Sequence, residues 1–174
     1  YITIEKQTTD FPKHFHDTFC ISLIHNGFEQ IDFEDKSFFS EKDSISITNP
    51  YEIHSNPLVD SNISLTFDTI YISNDLMKYL LNGKNIRFVN RKINSAKVNQ
   101  LFIQLKNAMD TRNSKRIEFF LKQFVNALEF NSQENKNEYG EQNLRGFNNI
   151  KGYIENNIYD EFCLDKLSKM ANIN

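Results

Sequence analysis

His14-Phe15-His16-Asp17-Thr18-Phe19-Cys20-Ile21-Ser22-Leu23-Ile24-His25-Asn26-Gly27 is the stretch that decides the fold. Phe19, Ile21 and Leu23 alternate with Cys20, Ser22 and Ile24, the two-residue period of a strand. Both alternating sets carry apolar residues, so the strand is expected to be covered on both faces. Asn26-Gly27 tolerates positive φ and predicts a two-residue hairpin turn, with a return strand through Gln30, Ile31, Asp32 and Phe33. Working outward, Glu34-Asp35 offers a second turn. Ile45 and Ile47 mark a strand that ends at Asn49-Pro50, and Ile63, Leu65 and Phe67 mark another. Short strands joined by tight turns, from residue 1 to about residue 72, predict a small antiparallel barrel or sandwich.

From Ser73 the period lengthens. Met77, Leu80 and Leu81 predict a short helix closed by Gly83. Val98, Leu101, Phe102, Leu105, Ala108 and Met109 follow at three- and four-residue steps behind Ser95, a side chain suited to cap a helix N-terminus. Ile117, Phe120, Leu121, Phe124, Val125 and Leu128 repeat the pattern. The short connection from Thr111 to Ser114 makes the two helices antiparallel neighbours. Residues 131 to 143 are nearly all polar and read as a linker. Phe147, Ile150, Ile154 and Ile158 then resume helical spacing, and Leu164, Leu167, Met170 and Ala171 open a further amphipathic segment before the sequence stops at Asn174.

The net charge of −3 gives no global attraction to nucleic acid phosphates. The two cysteines, Cys20 and Cys163, form neither a disulfide framework nor a zinc-knuckle spacing. No apolar run reaches the length of a membrane span, and no secretory leader pattern opens the chain. A cytoplasmic protein without membrane contact is therefore expected. The opening residue, Tyr1, suggests that the natural start lies upstream.

His14-Phe15-His16-Asp17 leading into a strand, Asn26-Gly27, and Ile45 to Pro50 followed by His54 together resemble the cupin-like effector domain of AraC/XylS transcription regulators. The stretch from Ile150 to Asn157, followed by Leu164-Asp165-Lys166-Leu167-Ser168, is similar to the opening of that family's helix-turn-helix DNA-binding domain. The resemblance implies an α+β fold: a small cupin-like antiparallel β-barrel, an antiparallel helical pair, and a truncated all-α tail. It divides the chain into an effector-binding and dimerisation domain over residues 1–130, a linker over 131–143, and the start of a DNA-binding domain over 144–174. In two places the sequence departs from the family. Lys42 stands before Asp43 where a glycine able to take positive φ is usual, and Ser168 stands where a small alanine is usual, a hydroxyl tolerated if it bonds back to its own helix.

This reading implies an effector-sensing, dimerising part of a regulator, without catalysis and without a cofactor. Its partners would be a small-molecule effector and a second copy of the chain. Promoter DNA would be bound by the full-length protein but not through this chain, which stops before a second helix of the DNA-reading motif. His14 and His16 share a face when extended, and Cys20 and Ser22 continue that face into the strand. Together with Asn49, Tyr51, His54 and Phe67 they are the candidate ligand-binding residues. Asn49-Pro50-Tyr51 reads equally well as a tight turn with a covering aromatic. Phe119 and Phe130, opposite the Phe124 and Leu128 stripe, are the candidate dimer interface. Cupin metalloenzymes resemble the same segment. His14, His16 and His54 could thus hold a metal ion in an enzyme, although Cys20 stands where their acidic ligand is found.

Overall fold

The structure, a computed structural model, describes residues 1–59, 64–135, 141–159 and 161–171, and the side chains of these apart from 141–147 and 171. The chain forms two compact units, Tyr1–Lys136 and Asn137–Asn174.

The first unit begins with eight strands: β1 (Ile2–Ile4), β2 (Phe11–His14), β3 (Thr18–Asn26), β4 (Phe28–Asp32), β5 (Ser37–Glu41), β6 (Ile45–Thr48), β7 (His54–Asn56) and β8 (Thr66–Ser73). It continues through α1 (Asn74–Leu80), β9 (Ile86–Phe88), β10 (Lys92–Ile93), α2 (Ala96–Asp110), α3 (Ser114–Glu129) and β11 (Ser132–Glu134). One sheet has the order β1-β8-β3-β6-β10 and a second the order β2-β7-β4-β5, while β9 and β11 form a small ribbon. The ladders are antiparallel. Among the described residues they remain separate sheets and do not close into one barrel. Ile63 lies outside the described residues.

The central strand β3 sets the character of the larger sheet. Phe19 stands opposite Ile72, Ile21 opposite both Ile47 and Ile70, and Leu23 opposite Ile45. Partners across a ladder share a face, so all of these point one way, and all are buried. Phe19 meets Phe88 of β9 edge-on, with ring centroids 5.6 Å apart. The opposite face pairs Cys20 with Thr48 and Tyr71, and Ser22 with Ser46 and Thr69. That face is small and polar. One side of the sheet is thus an apolar core, and the other leaves room.

Asn26-Gly27 does not form the expected hairpin. β3 pairs with β6 and β8 but not with β4, which belongs to the other sheet. The chain turns a corner between sheets at Gly27, which has φ +82°. A Cβ there would lie 3.0 Å from both the Leu65 Cα and the Ser64 carbonyl oxygen. Both conformation and close approach therefore require glycine. The Glu34-Asp35 turn does join paired strands, β4 and β5, with the Phe33 amide donating to the Lys36 carbonyl. In the following turn the left-handed residue is Asp43, at φ 63°, rather than Lys42. Aspartate tolerates that conformation better than lysine does, so the missing family glycine is accommodated one residue later.

The helices form where the spacing places them. Ser73 and Ser95 cap α1 and α2 through their hydroxyls, and Gly83, at φ +88°, closes the end of α1 by donating to the Lys78 carbonyl. Phe102 and Phe124 stack edge-on between α2 and α3, with ring centroids 5.8 Å apart. The connector between α1 and α2 holds β9 and β10. The polar stretch expected to be a linker from residue 131 starts as β11, paired with β9.

The second unit contains α4 (Glu141–Asn156) and α5 (Leu164–Ala171). Lys166 Nζ lies over the Tyr153 ring at 4.4 Å and donates to its hydroxyl at 2.7 Å. The Ser168 hydroxyl bonds back to the Asp165 carbonyl of its own helix at 3.0 Å. The side chains of Phe147 and Ala171 lie outside those described. No helix among the described residues is long and apolar enough to cross a membrane.

Candidate ligand-binding site

The small polar face of the larger sheet opens onto a cavity of about 230 Å³ between the two sheets. Cys20, Ser22, Ser46, Thr48, Thr69 and Tyr71 line it from one side, and His14, Glu29, Ile31, His54 and Asn56 from the other. The space exists because serine, threonine and cysteine occupy adjacent ladder positions where larger side chains would fill it. Ile24 is buried against Leu65 and Phe67, with Ile4 and Phe11 beside them. Phe67, Ile4 and Phe11 give the cavity an apolar wall.

Three histidines converge at this cavity. Ring centroids of His14 and His16 are 4.9 Å apart, those of His14 and His54 4.4 Å, and those of His16 and His54 5.4 Å. His54 lies directly opposite His14 in the β2–β7 ladder, and His16 follows two residues after His14. Two of the rings are fixed by the main chain two residues before them. His14 Nδ1 donates to the Pro12 carbonyl at 2.7 Å, and His54 Nδ1 donates to the Glu52 carbonyl at 2.8 Å. Burial, chiefly, pushes His54 down to about 4 and also lowers His16, with each further disfavoured as a cation by its histidine neighbours. His16 stands edge-on to Tyr71 at 5.6 Å.

Glu29 is the unexpected member of the site. Burial raises its carboxyl to about 7, against the opposing effect of hydrogen bonds from the Ser46 hydroxyl and from Asn56 Nδ2. The signal for it was its position two residues before buried Ile31, on the inward face of β4. Thr69 and Tyr71 were missed as well, and the signal for them was their two-residue steps from Phe67 along β8, which put them on the same face as Phe67. Burial likewise raises the Cys20 thiol to about 12, which makes it an inert packing group and not a thiolate.

Of the residues singled out from sequence, His14, His16, Cys20, Ser22, His54 and Phe67 line the cavity. Asn49 and Tyr51 do not. The Asn49 side chain is engaged between Glu52 and the backbone of Phe88. Tyr51 takes a left-handed turn at φ 61° and faces Phe15, with ring centroids 6.2 Å apart. The turn reading of Asn49-Pro50-Tyr51 therefore describes this loop. Phe119 and Phe130 are exposed, at 58% and 92%.

Residues 1–123 match the family described as the AraC-like ligand binding domain, and the chain belongs to that family. It is the effector-sensing part of a transcription regulator. ToxT from Vibrio cholerae O395 has a similar fold, with a TM-score of 0.53 at 12% identity over 99% of this chain and 68% of that one. ToxT from Vibrio cholerae strain SCE256 with an unsaturated fatty acid bound gives 0.51 at 13% identity, over 99% and 67%. The O395 protein bound to (E)-4-(8-methylnaphthalen-1-yl)but-3-enoic acid gives 0.51 at 14%, over 99% and 70%. Identities this low speak for the shared fold alone. No curated protein matches the sequence closely enough to count as a relative.

Proposed function

We propose that the cavity between the two sheets is the effector site, and that its occupant is a small molecule with an apolar body and a polar oxygen-bearing head. The observation that carries this is the cavity's two-sided lining. Ile4, Phe11, Ile31 and Phe67 offer apolar surface, and the three histidines with Glu29 and Asn56 offer a convergent polar set. A few directed polar groups within an apolar enclosure are what fixes a small ligand's orientation. ToxT, which shares this fold, has been solved bound to an unsaturated fatty acid and to an aryl-butenoic acid, which supports an occupant of that kind.

The remaining parts of the reading concern the whole regulator. The second unit opens a helix-turn-helix DNA-binding domain, and a second copy of the chain docks on the face of α3 that carries Phe119 and Phe130. The protein acts in the cytoplasm on promoter DNA, by binding and not by turnover. Regulation then requires the effector to favour one of two arrangements, and its effect is limited to the affinity difference between them. The test is a thermal-shift series of apolar carboxylic acids on the purified chain, followed by recovery of the compound. Sensing expects stabilisation and a compound returned unchanged. A chemically altered product would favour the other reading, a metal-dependent enzyme built on His14, His16 and His54.

A further inference from the structure

We propose that His14, His16 and His54 together hold one divalent transition-metal ion at the cavity, each through a single imidazole nitrogen, with a remaining coordination position open to the cavity. One ring nitrogen from each of the three lies within 4.8 Å of the others. Nitrogens bound to a common ion at about 2.0–2.1 Å in tetrahedral geometry stand roughly 3.3 Å apart. The nitrogens therefore need to close by no more than about 1.5 Å to share one ion.

The hydrogen bonds decide which nitrogen each ring offers. A backbone carbonyl can only accept, so Nδ1 of His14 carries the proton it gives to Pro12, and Nδ1 of His54 carries the proton it gives to Glu52. In the neutral ring this leaves the Nε2 lone pair free on both. Holding Nδ1–H against a carbonyl is the outer-shell arrangement that fixes tautomer and ring orientation at metal-bound histidines. Two of the three rings already have it.

The rest of the cavity bears on the ion's type and its open position. Three imidazoles suit zinc, cobalt, nickel, copper or ferrous iron and not magnesium or calcium, which prefer oxygen. Cys20 lines the same cavity, but it is held as a protonated thiol among Thr48, Tyr71 and Ser22 and does not enter the ligand set. Three protein ligands leave a tetrahedral ion with one position for water or for an oxygen of a bound molecule. An effector could use that position. This last step rests on the effector reading above, whereas the ion site stands on the histidine geometry alone.

The experiment titrates the chelator-stripped chain with Co²⁺ alone and follows visible absorption, with no effector present. The expected result is one equivalent bound at micromolar or tighter affinity, with the intense bands of a four-coordinate cobalt and displacement by Zn²⁺. Acetate, as a small oxygen-donor probe, should shift those bands. His14→Ala, at a partly exposed position, should weaken Co²⁺ binding at least tenfold, while Cys163→Ser leaves it unchanged. His54 is buried, so His54→Ala is read only beside its melting temperature without metal. Failure of the folded wild type to take up one equivalent overturns the site, as does binding that survives His14→Ala. Either failure leaves the effector reading standing, because that is measured with metal-free compounds.

Discussion

Asn49 clasps the main chain of Phe88 from both sides: its Nδ2 donates to the Phe88 carbonyl at 3.1 Å, and its Oδ1 accepts from the Phe88 amide at 2.8 Å. The amide of Asn49 also donates to the Glu52 carboxylate, which Arg87 and Arg91 hold in place. A residue offered by the sequence as a ligand contact is therefore a fastener between the end of β6 and strand β9.

Asn49→Ala would leave a buried amide and a buried carbonyl of Phe88 without partners. Each such group costs about 1–3 kcal/mol, so the variant should lose roughly 2–6 kcal/mol of stability. Affinity for a cavity ligand, measured by calorimetry on the folded protein below its transition, should stay within about twofold of wild type. Denaturant midpoints and binding constants measured side by side check the separation, and a variant of normal stability with lost binding would return Asn49 to the ligand site.

Glu29 and His54 give the stability of the protein two opposing pH slopes. The folded-state pKa of Glu29 is raised from 4.5 to about 7, so the native state keeps a proton that the unfolded chain releases. Its contribution falls as pH rises through that interval, by about 3 kcal/mol in all, and is constant above it. His54 is lowered from 6.5 to about 4, so the unfolded chain binds the extra proton. Its contribution grows as pH rises from about 4 to 6.5, and His16 acts in the same direction. Glu29→Gln should remove the falling slope. Chemical denaturation of the variant at pH values from about 5 to about 8 should then show stability rising more steeply towards neutrality than in wild type. Equal slopes for the two proteins would mean that Glu29 is ionised in the folded state at acidic pH.

Phe119 and Phe130 should carry self-association. Replacing both with Ser removes little buried area from the monomer, so its melting temperature should change by no more than about one or two degrees. At about 25 cal/mol per Å² of apolar surface covered, the loss from a dimer interface should weaken association at least tenfold. Sedimentation equilibrium of wild type and double variant checks this. A monomeric wild type, or an unaltered dimer in the variant, would place the interface elsewhere.

Much of the first unit was legible in the sequence because period-two alternation reports directly on strand faces. His14, His16, Cys20 and Ser22 fall on one face by counting alone, and His54 joins them through the β2–β7 ladder. The capping serine Ser95 was legible from local pattern too, as the side chain directly before the helical spacing. Sheet membership was not. Asn26-Gly27 carries a hairpin signature, yet Gly27 turns the chain between sheets because Leu65, far along the sequence, presses against it. Glu29 was missed because a carboxylate on a strand normally marks the solvent side, and only Ser46 and Asn56, from β6 and β7, make its burial tolerable. His25 shows the converse. It is exposed, and nothing in its local sequence shows that its Nε2 meets the Asp68 carboxylate at 2.7 Å, a pairing set by the β3–β8 register.

Calorimetric titration of wild type and Cys20→Phe with a series of apolar carboxylic acids of increasing chain length tests the central claim, that the cavity between the sheets is the effector site. Cys20 lines that cavity and is only half-buried, so a phenyl ring there occupies ligand space at a folding cost of about 1–3 kcal/mol. The account predicts one-to-one binding by at least one acid in wild type and at least a tenfold loss in the folded variant. Unchanged binding by Cys20→Phe, or no binding by wild type across the series, would contradict it.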